Sequence, residues 1–221
     1  MSTPDPGPEP SASGDALTAA AITELVESVL AYDLPPIVVA GHPVLRRPAE
    51  EVRGRLDDEL LGRLVATMRR VMHAAPGVGL AAPQIGIPLR IAVLEDRGVL
   101  DETVAAARSR TPLPFTAIID PRYTAIGDPM DSFYEGCLSV PGYQAVVERH
   151  HAVEATWTRP DGTRTTEVFE GWPARIVQHE TDHLDGRLYL DRAHLRSLSA
   201  DREHARWVQP TVEEARRGLG F

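Results

Sequence analysis

The stretch from Gln178 to Gly186 carries the clearest chemical signature in the chain. It contains His-Glu-x-x-His, with His179, Glu180 and His183 at the defining positions. Residues four apart lie on one face of an α-helix, so both imidazoles can point at one metal ion. Glu180 can then exchange protons with a water at that ion without being a ligand. The pattern indicates metal-assisted hydrolysis, although two unrelated histidines on a surface helix would give the same letters.

Two histidines do not complete such a site, because a catalytic centre of this type usually has three protein ligands and one open position. A further histidine three residues after Gly186 would extend the motif, but Tyr189 occupies that position. Two candidates for the third ligand therefore stay open, Glu203 downstream and Cys137 upstream. Cys137 is the single cysteine of the chain, and a lone cysteine is often only a small hydrophobic residue.

The composition predicts a cytoplasmic protein of one domain. The chain has 221 residues, 43% of them hydrophobic, and a formal net charge of -9, which argues against general nucleic-acid binding. One cysteine allows no internal disulfide and suits a reducing compartment. We expect no signal peptide, because the first ten residues contain no basic residue and no apolar run. We expect no membrane span, because the longest apolar stretch, 74–89, is interrupted by prolines and glycines.

Apolar periodicity and capping residues predict the helices. Residues 1–14 are rich in proline, serine and glycine, and we expect them to be disordered. Asp15 is the predicted cap of a helix from Ala16 to about Tyr32, and a stronger helix is predicted from Asp57 to Ala75. Trp172-Pro173 should begin the helix that carries the metal motif. In the tail, residues 200–207 and 212–218 favour helix.

Short apolar runs predict the strands, at 37–40, 89–95 and 115–120, the last ended by Pro121. A β pattern also extends from Tyr143 to Val168, and Cys137 is expected to lie between strands. A buried helix among antiparallel strands predicts an α+β fold, with antiparallel sheets wrapped around the motif helix and helices at both termini. The predicted division is 1–14 as an extension, 15–190 as the catalytic domain and 191–221 as a helical tail.

Small residues dominate the segment from Gly77 to Gly86, its proline excludes a long helix, and Gln84 is its one polar side chain. Glycines here would let the backbone approach a ligand closely, but a tightly packed buried turn explains them equally well. It is not a phosphate loop, because no Gly-Lys-Ser/Thr follows. Gln84 is either a satisfied buried amide or a placed hydrogen-bond donor.

Three segments together resemble the peptide deformylase family. That family shows Gly-φ-Gly-φ-Ala-Ala-x-Gln, Glu-Gly-Cys-φ-Ser and His-Glu-x-Asp-His in this order, where φ is apolar. The chain matches these motifs at 77–84, 135–139 and 179–183. Gln178 and the run Leu184-Asp185-Gly186 also resemble the family, and the resemblance covers about residues 35 to 190.

The resemblance implies a cytoplasmic hydrolase that removes the formyl group from the N-terminal formyl-methionine of new polypeptides. The implied partners are N-formyl-methionyl peptides and nascent chains, with the ribosome as a further contact, and neither a membrane nor sequence-specific nucleic acid. The implied cofactor is one divalent metal ion, Fe²⁺, for which Zn²⁺, Ni²⁺ or Co²⁺ can substitute. Cys137, His179 and His183 would be its ligands.

The resemblance also implies roles around the metal. Glu180 would be the general base and then the acid that protonates the leaving amine. Gln84 and the backbone N–H of Leu138 would stabilise the developing oxyanion. The implied substrate-binding positions are Gly79, whose backbone would align the peptide like an added strand, Val78 in the methionine pocket, Glu135 and Gly136.

Formyl is the smallest acyl group, which suggests one further hypothesis. A narrow pocket built by Gly77, Gly79 and Ala81 could exclude larger acyl groups. The hypothesis predicts that Gly79→Ala changes the discrimination between formyl and acetyl substrates.

Several positions depart from the common family pattern. Thr181 stands where an apolar residue is usual, Asp120-Pro121 replaces a frequent Asn-Pro, and Gln144 stands where many members carry arginine. Gln144 puts the electrostatics of the substrate rim in doubt. Arg149 and Asp182 match positions where an ion pair could orient the ligand helix, although a solvated surface pair is nearly as plausible on sequence alone.

Two other functions remain compatible with the residues alone. A zinc peptidase would use His179, His183 and Glu203 as ligands, so Cys137→Ala would keep its metal. A structural metal module would instead have a closed site with four ligands, bind a partner through its C-terminal tail and hydrolyse nothing.

Overall fold

The computed structural model describes residues 17–98, 101–207 and 211–221. In these ranges the helices are α1 (Ala19–Leu30), α2 (Asp58–Ala74), α3 (Glu102–Ala107), α4 (Gly171–Leu184), α5 (Asp201–His204) and α6 (Glu213–Leu219). The strands are β1 (Gly79–Ala81), β2 (Ile91–Asp96), β3 (Leu113–Ala125), β4 (Met130–Cys137), β5 (Val140–His150), β6 (Ala152–Thr158), β7 (Arg164–Glu170) and β8 (Ser199–Ala200). None of the described helices is long and apolar enough to cross a membrane.

Two antiparallel sheets surround the motif helix. The larger sheet has the strand order β1-β2-β3-β6-β7, and the smaller sheet has the order β4-β5-β8. Helix α4 packs against all five strands of the larger sheet and against β5 of the smaller one. The predicted α+β fold, with antiparallel sheets around the helix that carries His-Glu-x-x-His, is confirmed.

Helix α4 is buried on almost every side, as expected of a helix enclosed by two sheets. Its apolar residues Ala174, Ile176, Val177 and Leu184 pack into a core formed with the larger sheet. Pro173 lies in its first turn, as predicted. Gly171 begins the helix with φ +60°, where a side chain would be strained. A Cβ there would also lie 2.5 Å from the Ser109 carbonyl oxygen, so glycine lets a loop dock at the helix start.

Helix α2 agrees closely with the prediction, and α1 requires a correction. Asp57 caps α2, with its carboxylate accepting a hydrogen bond from the Leu60 N–H at 2.8 Å. Helix α1 begins at Ala19 instead of Ala16, because Thr18 is the N-cap and its hydroxyl accepts from the Ala21 N–H. The predicted cap Asp15 and residues 1–14 lie outside the described residues.

Three strand predictions were wrong. Pro121 does not end β3, which continues to Ala125 through an irregularity between Ile119 and Arg122 that accommodates the proline. Residues 37–40 form no strand, although Val38 and Ala40 donate hydrogen bonds to the carbonyls of Gln84 and Ser139. Cys137 does not lie between strands, because it is the last residue of β4.

The tail packs onto the smaller sheet. Strand β8 pairs with β5, and the Ser197 hydroxyl accepts a hydrogen bond from the Val146 N–H at 2.7 Å. From α6 and its cap, Ala215 and Val212 pack on Tyr134 and Val146. The second predicted tail helix, 212–218, corresponds to α6. The first, 200–207, is reduced to the single turn of α5.

Candidate active site

Three candidate metal ligands converge where α4 meets the end of β4. Ligand atoms of Cys137, His179 and His183 all lie within 4.8 Å of one another. The Cys137 sulfur is 3.2 Å from Nε2 of His183, and the two imidazole rings are 5.1 Å apart. The helix supplies both histidines from one face, and the end of β4 brings the cysteine to them. This is the only such group of three among the residues that the structure describes.

Glu203, the alternative third ligand, does not join this cluster. It lies on α5, exposed to solvent, and pairs with Arg206 at 2.8 Å. The peptidase interpretation required this carboxylate beside His179 and His183. Its ligand set is therefore not formed.

Glu135 fixes the orientation of the first histidine. Its carboxylate lies 2.9 Å from Nδ1 of His179, which leaves Nε2 of that ring for the cluster. Arg149 and Arg175 bind the same carboxylate at 2.6 Å each. Burial alone would raise the pKa of Glu135, but Arg149 and His179 hold it well below its usual range. These three partners occupy the carboxylate of Glu135 and leave its backbone to face the cleft.

Asp182 ties the other side of the helix to its surroundings. It accepts hydrogen bonds from Arg149 at 2.8 Å and from Arg192 at 2.8 and 3.0 Å. The side chains of Arg149 and Asp182 are 1% and 2% exposed, so the pair is buried and the alternative of a solvated surface pair is wrong. The network joins α4 to β5 through Arg149, and to the segment that follows α4 through Arg192.

Gln84 is both a satisfied amide and a donor aimed at the cluster. Its carbonyl oxygen accepts from the Ala81 N–H at 2.8 Å, which fixes the amide orientation. Its Nε2 then lies 3.6 Å from the Cys137 sulfur and 3.3 Å from the Ser139 hydroxyl. Leu138 occupies the turn immediately after the cysteine. Both residues assigned to the oxyanion therefore border the cluster.

Glu180 is a buried carboxyl with one oxygen lacking a hydrogen-bond partner in the described part of the chain. Burial raises its pKa to about 7, even though His179 and Arg149 act in the opposite direction. A group with this pKa exchanges protons efficiently near neutral pH. Its carboxylate fits only because Gly79 has no side chain, since a Cβ there would lie 2.6 Å from the Glu180 Cδ.

A cleft of about 550 Å³ opens onto this group. Of the residues predicted from the sequence, it is lined by Val78, Gly79, Gln84, Glu135, Gly136, Cys137, Leu138, His179 and Glu180. His183 lies beneath the surface of the cleft and is 1% exposed. Gln144 also borders the cleft and lies opposite Gly136 in the β4–β5 register.

Sequence reasoning missed several residues of the cleft. Arg175 was passed over although it is the charged residue among the inward-facing apolar residues of α4, and that contrast was the available signal. It bonds Glu135, the Val147 carbonyl and the Asp131 carbonyl. Arg108, Arg110 and Trp172 also line the cleft, and no motif marked them.

The donor set suits a divalent transition metal. One sulfur and two imidazoles leave an open position in a four-coordinate site. Burial and the neighbouring His179 lower the pKa of His183 well below its usual range, which favours the neutral ring that a metal ligand needs. Burial would also lower the pKa of His179, yet Cys137 and Glu135 raise it well above its usual range. These surroundings favour positive charge at the cluster, which a metal cation supplies.

Comparisons with known proteins agree with this geometry. The family model described as Polypeptide deformylase matches residues 34–198. Peptide deformylase 3 of Streptomyces avermitilis is 56% identical over 202 residues, which cover 90% of each chain. Peptide deformylase 1 of Streptomyces coelicolor is 54% identical over 202 residues, covering 90% of this chain and 93% of that one.

A solved structure shares the fold. The Met-Ala-Ser-bound crystal structure of class I type b peptide deformylase from Acinetobacter baumannii matches with a TM-score of 0.66 and 32% identity. The match covers 72% of this chain and 98% of that one. The chain belongs to the peptide deformylase family, and it is a metal-dependent hydrolase that removes the N-terminal formyl group of newly synthesised polypeptides.

Proposed function

We propose that this chain deformylates formyl-methionyl peptides with Cys137, His179 and His183 as metal ligands and Glu180 as the proton carrier. The observation that supports this most strongly is the convergence of the three ligand atoms within 4.8 Å beside a buried carboxyl in one cleft. A divalent metal held by these residues would act as a Lewis acid on the formyl carbonyl and lower the pKa of water.

The proton path is assigned to Glu180. As water attacks the formyl carbon, Glu180 accepts one of its protons. The bond between the formyl carbon and the amine nitrogen then breaks, and Glu180 gives the proton to that nitrogen. The products are formate and a peptide with a free amine. A carboxyl with a pKa of about 7 suits both transfers at neutral pH.

Two donors are assigned to the oxygen that becomes negative during attack. One is the amide Nε2 of Gln84, which the Ala81 N–H holds in this orientation. The other is the backbone N–H of Leu138. Removing one such donor typically costs about 2.7–4 kcal/mol of transition-state stabilisation, so Gln84→Ala should lower kcat on the order of 100-fold.

The substrate peptide is proposed to lie along β1. This strand pairs with β2 on one side and is the edge strand of the larger sheet. An extended peptide can add to such an edge through backbone hydrogen bonds. The A. baumannii relative was solved with Met-Ala-Ser bound, which supports a peptide of this length in the cleft. Val78 would line the methionine pocket, and Gly136 would form the opposite wall with the Glu135 backbone.

Fe²⁺ is the proposed metal, and Zn²⁺, Ni²⁺ or Co²⁺ would substitute for it. Mixed sulfur and imidazole ligands bind all four ions, so the donor set alone does not select among them. Metal analysis of protein purified without air from its own host tests the assignment. Zinc in that protein instead of iron would overturn it.

The cytoplasm is the proposed location, since formylated nascent chains are made there, and the ribosome is a proposed partner of the tail from 191 to 221. The exposed tail arginines Arg202, Arg206 and Arg217 are the candidates for rRNA contact. Their joint replacement by glutamate should reduce co-sedimentation with ribosomes. Unchanged co-sedimentation would refute the contact, and no sequence-specific nucleic acid is proposed.

The deciding experiment measures formate release from formyl-Met-Ala-Ser by protein purified without air and loaded with Fe²⁺ or Ni²⁺. The parent should release formate, and Glu180→Ala should lose at least about 100-fold in kcat with its metal retained. Cys137→Ala should lose the metal. No release from fully loaded parent protein would overturn the proposal.

A further inference from the structure

Three arginines gather at one end of the cleft, beside the first turns of α4. Arg108 and Arg110 follow α3, Arg175 belongs to α4, and all three line the cleft. Their guanidinium groups lie over two aromatic rings. Arg108, Arg110 and Arg175 are 5.1, 5.3 and 5.7 Å from the ring centre of Trp172, and Arg108 and Arg175 are 5.7 and 5.2 Å from that of Phe133.

Two of these charges are neutralised inside the protein. Arg110 binds the buried carboxylate of Asp96 at 2.8 and 3.0 Å. Arg175 binds Glu135 at 2.6 Å. Each of these guanidinium groups is therefore already committed to a carboxylate.

Arg108 differs from both. Among the residues with described side chains it makes no ion pair, and its buried Nε has no hydrogen-bond partner. Burial, together with the charges of Arg110 and Arg175, lowers its pKa. A half-buried cation beside two others is unfavourable unless an anion joins it. The indole N–H of Trp172 is a second buried donor that has no partner within 17–98, 101–207 and 211–221.

The segment that carries Arg108 is fixed against the motif helix. The Ser109 carbonyl accepts a hydrogen bond from the backbone N–H of Trp172 at 3.3 Å, and the absence of a side chain at Gly171 permits this contact. The Asp96–Arg110 pair anchors the segment on its other side. Arg108 therefore belongs to a segment of the cleft wall that is fixed at both ends.

The spacing along α4 indicates which part of a peptide reaches Arg108. Trp172 precedes His179 by seven residues, about 10.5 Å along a helix. In a peptide extended along β1, the first and third side chains point to the same face about 6.6 Å apart, and the second points away. With the first side chain beside His179, the proposed alignment places the third toward the Trp172 end of the cleft.

We propose that Arg108 selects formylated peptides with an acidic third residue by binding its carboxylate. The inference rests on the proposed function and on the alignment of the peptide along β1. Three other carboxylates border the cleft, and none forms an ion pair with Arg108 in the described part of the chain. Glu135 is bonded to Arg149, Arg175 and His179, Asp201 faces Gln144 at 3.4 Å, and Glu180 packs against Gly79. With a net charge of -9, the protein as a whole repels acidic peptides, so the preference is local.

The test compares kcat/KM for formyl-Met-Ala-Glu-amide and formyl-Met-Ala-Gln-amide. The metal-loaded parent should prefer the glutamate peptide about fivefold at low salt, and the preference should shrink at 0.5 M salt. Arg108→Gln should bring the ratio to about one, and Arg108→Lys should keep part of it. The ratio cancels any general loss of activity that a substitution causes. Arg164→Gln, an equal charge change at an exposed position on β7, should keep the parent ratio.

Three results would overturn the proposal. Equal kcat/KM of the parent for both peptides would remove the selectivity, whereas release of formate from neither would contradict the proposed function itself. If the preference for the glutamate peptide persisted in Arg108→Gln, another residue would be its cause. Formyl-Met-Glu-Ala-amide and its glutamine counterpart test the register, and an Arg108-dependent preference in that pair instead would refute the third-residue assignment.

Discussion

Glu180 and Gly79 occupy complementary spaces, and this changes the role expected for the glycine. The sequence suggested that Gly79 narrows the pocket against larger acyl groups, but a Cβ at this position would overlap the Glu180 carboxylate. Gly79→Ala should therefore displace the proton carrier and lower kcat for formyl peptides about 100-fold, because small misplacements near the chemistry carry large penalties. Formate release and metal content measured together test this.

Gly77→Ala provides the comparison. A Cβ there would lie 2.9 Å from Cδ1 of Leu138, the end of a half-buried side chain that can rotate away. Its kcat should fall less than about tenfold. If Gly79→Ala instead kept kcat for formyl peptides and gained acetyl cleavage, acyl selection would be its role.

At the scale of elements, a buried charge network holds the ligand helix in place. Asp182→Asn removes the charge that Arg149 and Arg192 share, and it leaves these arginines partly unpaired. Because a broken buried pair leaves an uncompensated charge, we expect a loss of about 3 kcal/mol in the free energy of unfolding. Urea unfolding of the metal-loaded protein measures it. Glu51→Gln, which breaks an exposed pair with Arg122, should cost under about 1 kcal/mol, and equal losses would refute the network's importance.

The short helix α5 introduces a pH dependence through His204. Burial lowers the pKa of this ring, with Arg108 acting in the same direction and Asp201 opposing. The unfolded chain therefore binds a proton more readily, so the stabilisation is complete above about pH 6.5 and is lost as pH falls through the lower folded-state pKa. His204→Phe keeps an aromatic ring against Tyr134 and removes the titration.

Urea unfolding at pH 7.5 and pH 5.5 distinguishes the two proteins. The parent should lose more stability than His204→Phe over this interval. A loss of the same size in both would show that the ring does not titrate with folding.

Prediction from the sequence succeeded where a pattern was local. The spacing of His179 and His183 requires only a helix, and the Asp57 cap acts on a residue three positions away. It failed where distant segments decide the outcome. Strand β3 passes Pro121 because an irregularity in its pairing with β6 absorbs the missing donor. Strand β4 was missed for a different reason, since its sequence has no alternating apolar run even though its partner β5 follows directly. The burial of Arg175 depends on Glu135, 40 residues away, which no periodicity reveals.

At the scale of the whole molecule, the tail and the catalytic part share a hydrophobic cluster and a cleft. The sequence predicted a division between residues 190 and 191. An unfolding experiment tests whether the two parts unfold separately. Strand β8 extends the sheet that carries Cys137, and Asp201 after it lines the cleft. These contacts favour a single cooperative unit.

Ala215→Asp tests this unity because Ala215 is fully buried against Tyr134 and Val146. A buried unpaired carboxylate should cost about 3 kcal/mol, which for a chain of this size lowers Tm by about 6–12 °C. Calorimetry of the metal-loaded protein should show one transition, shifted as a whole, together with a parallel loss of deformylase activity on heating. Thr211→Asp adds the same charge at an exposed position and should leave Tm within about 2 °C. Ala215→Asp could instead produce a separate transition at low temperature while the main transition stayed in place. The tail would then be an independent unit. Its packing on β4 and β5 would contribute nothing to holding Cys137 beside the two histidines.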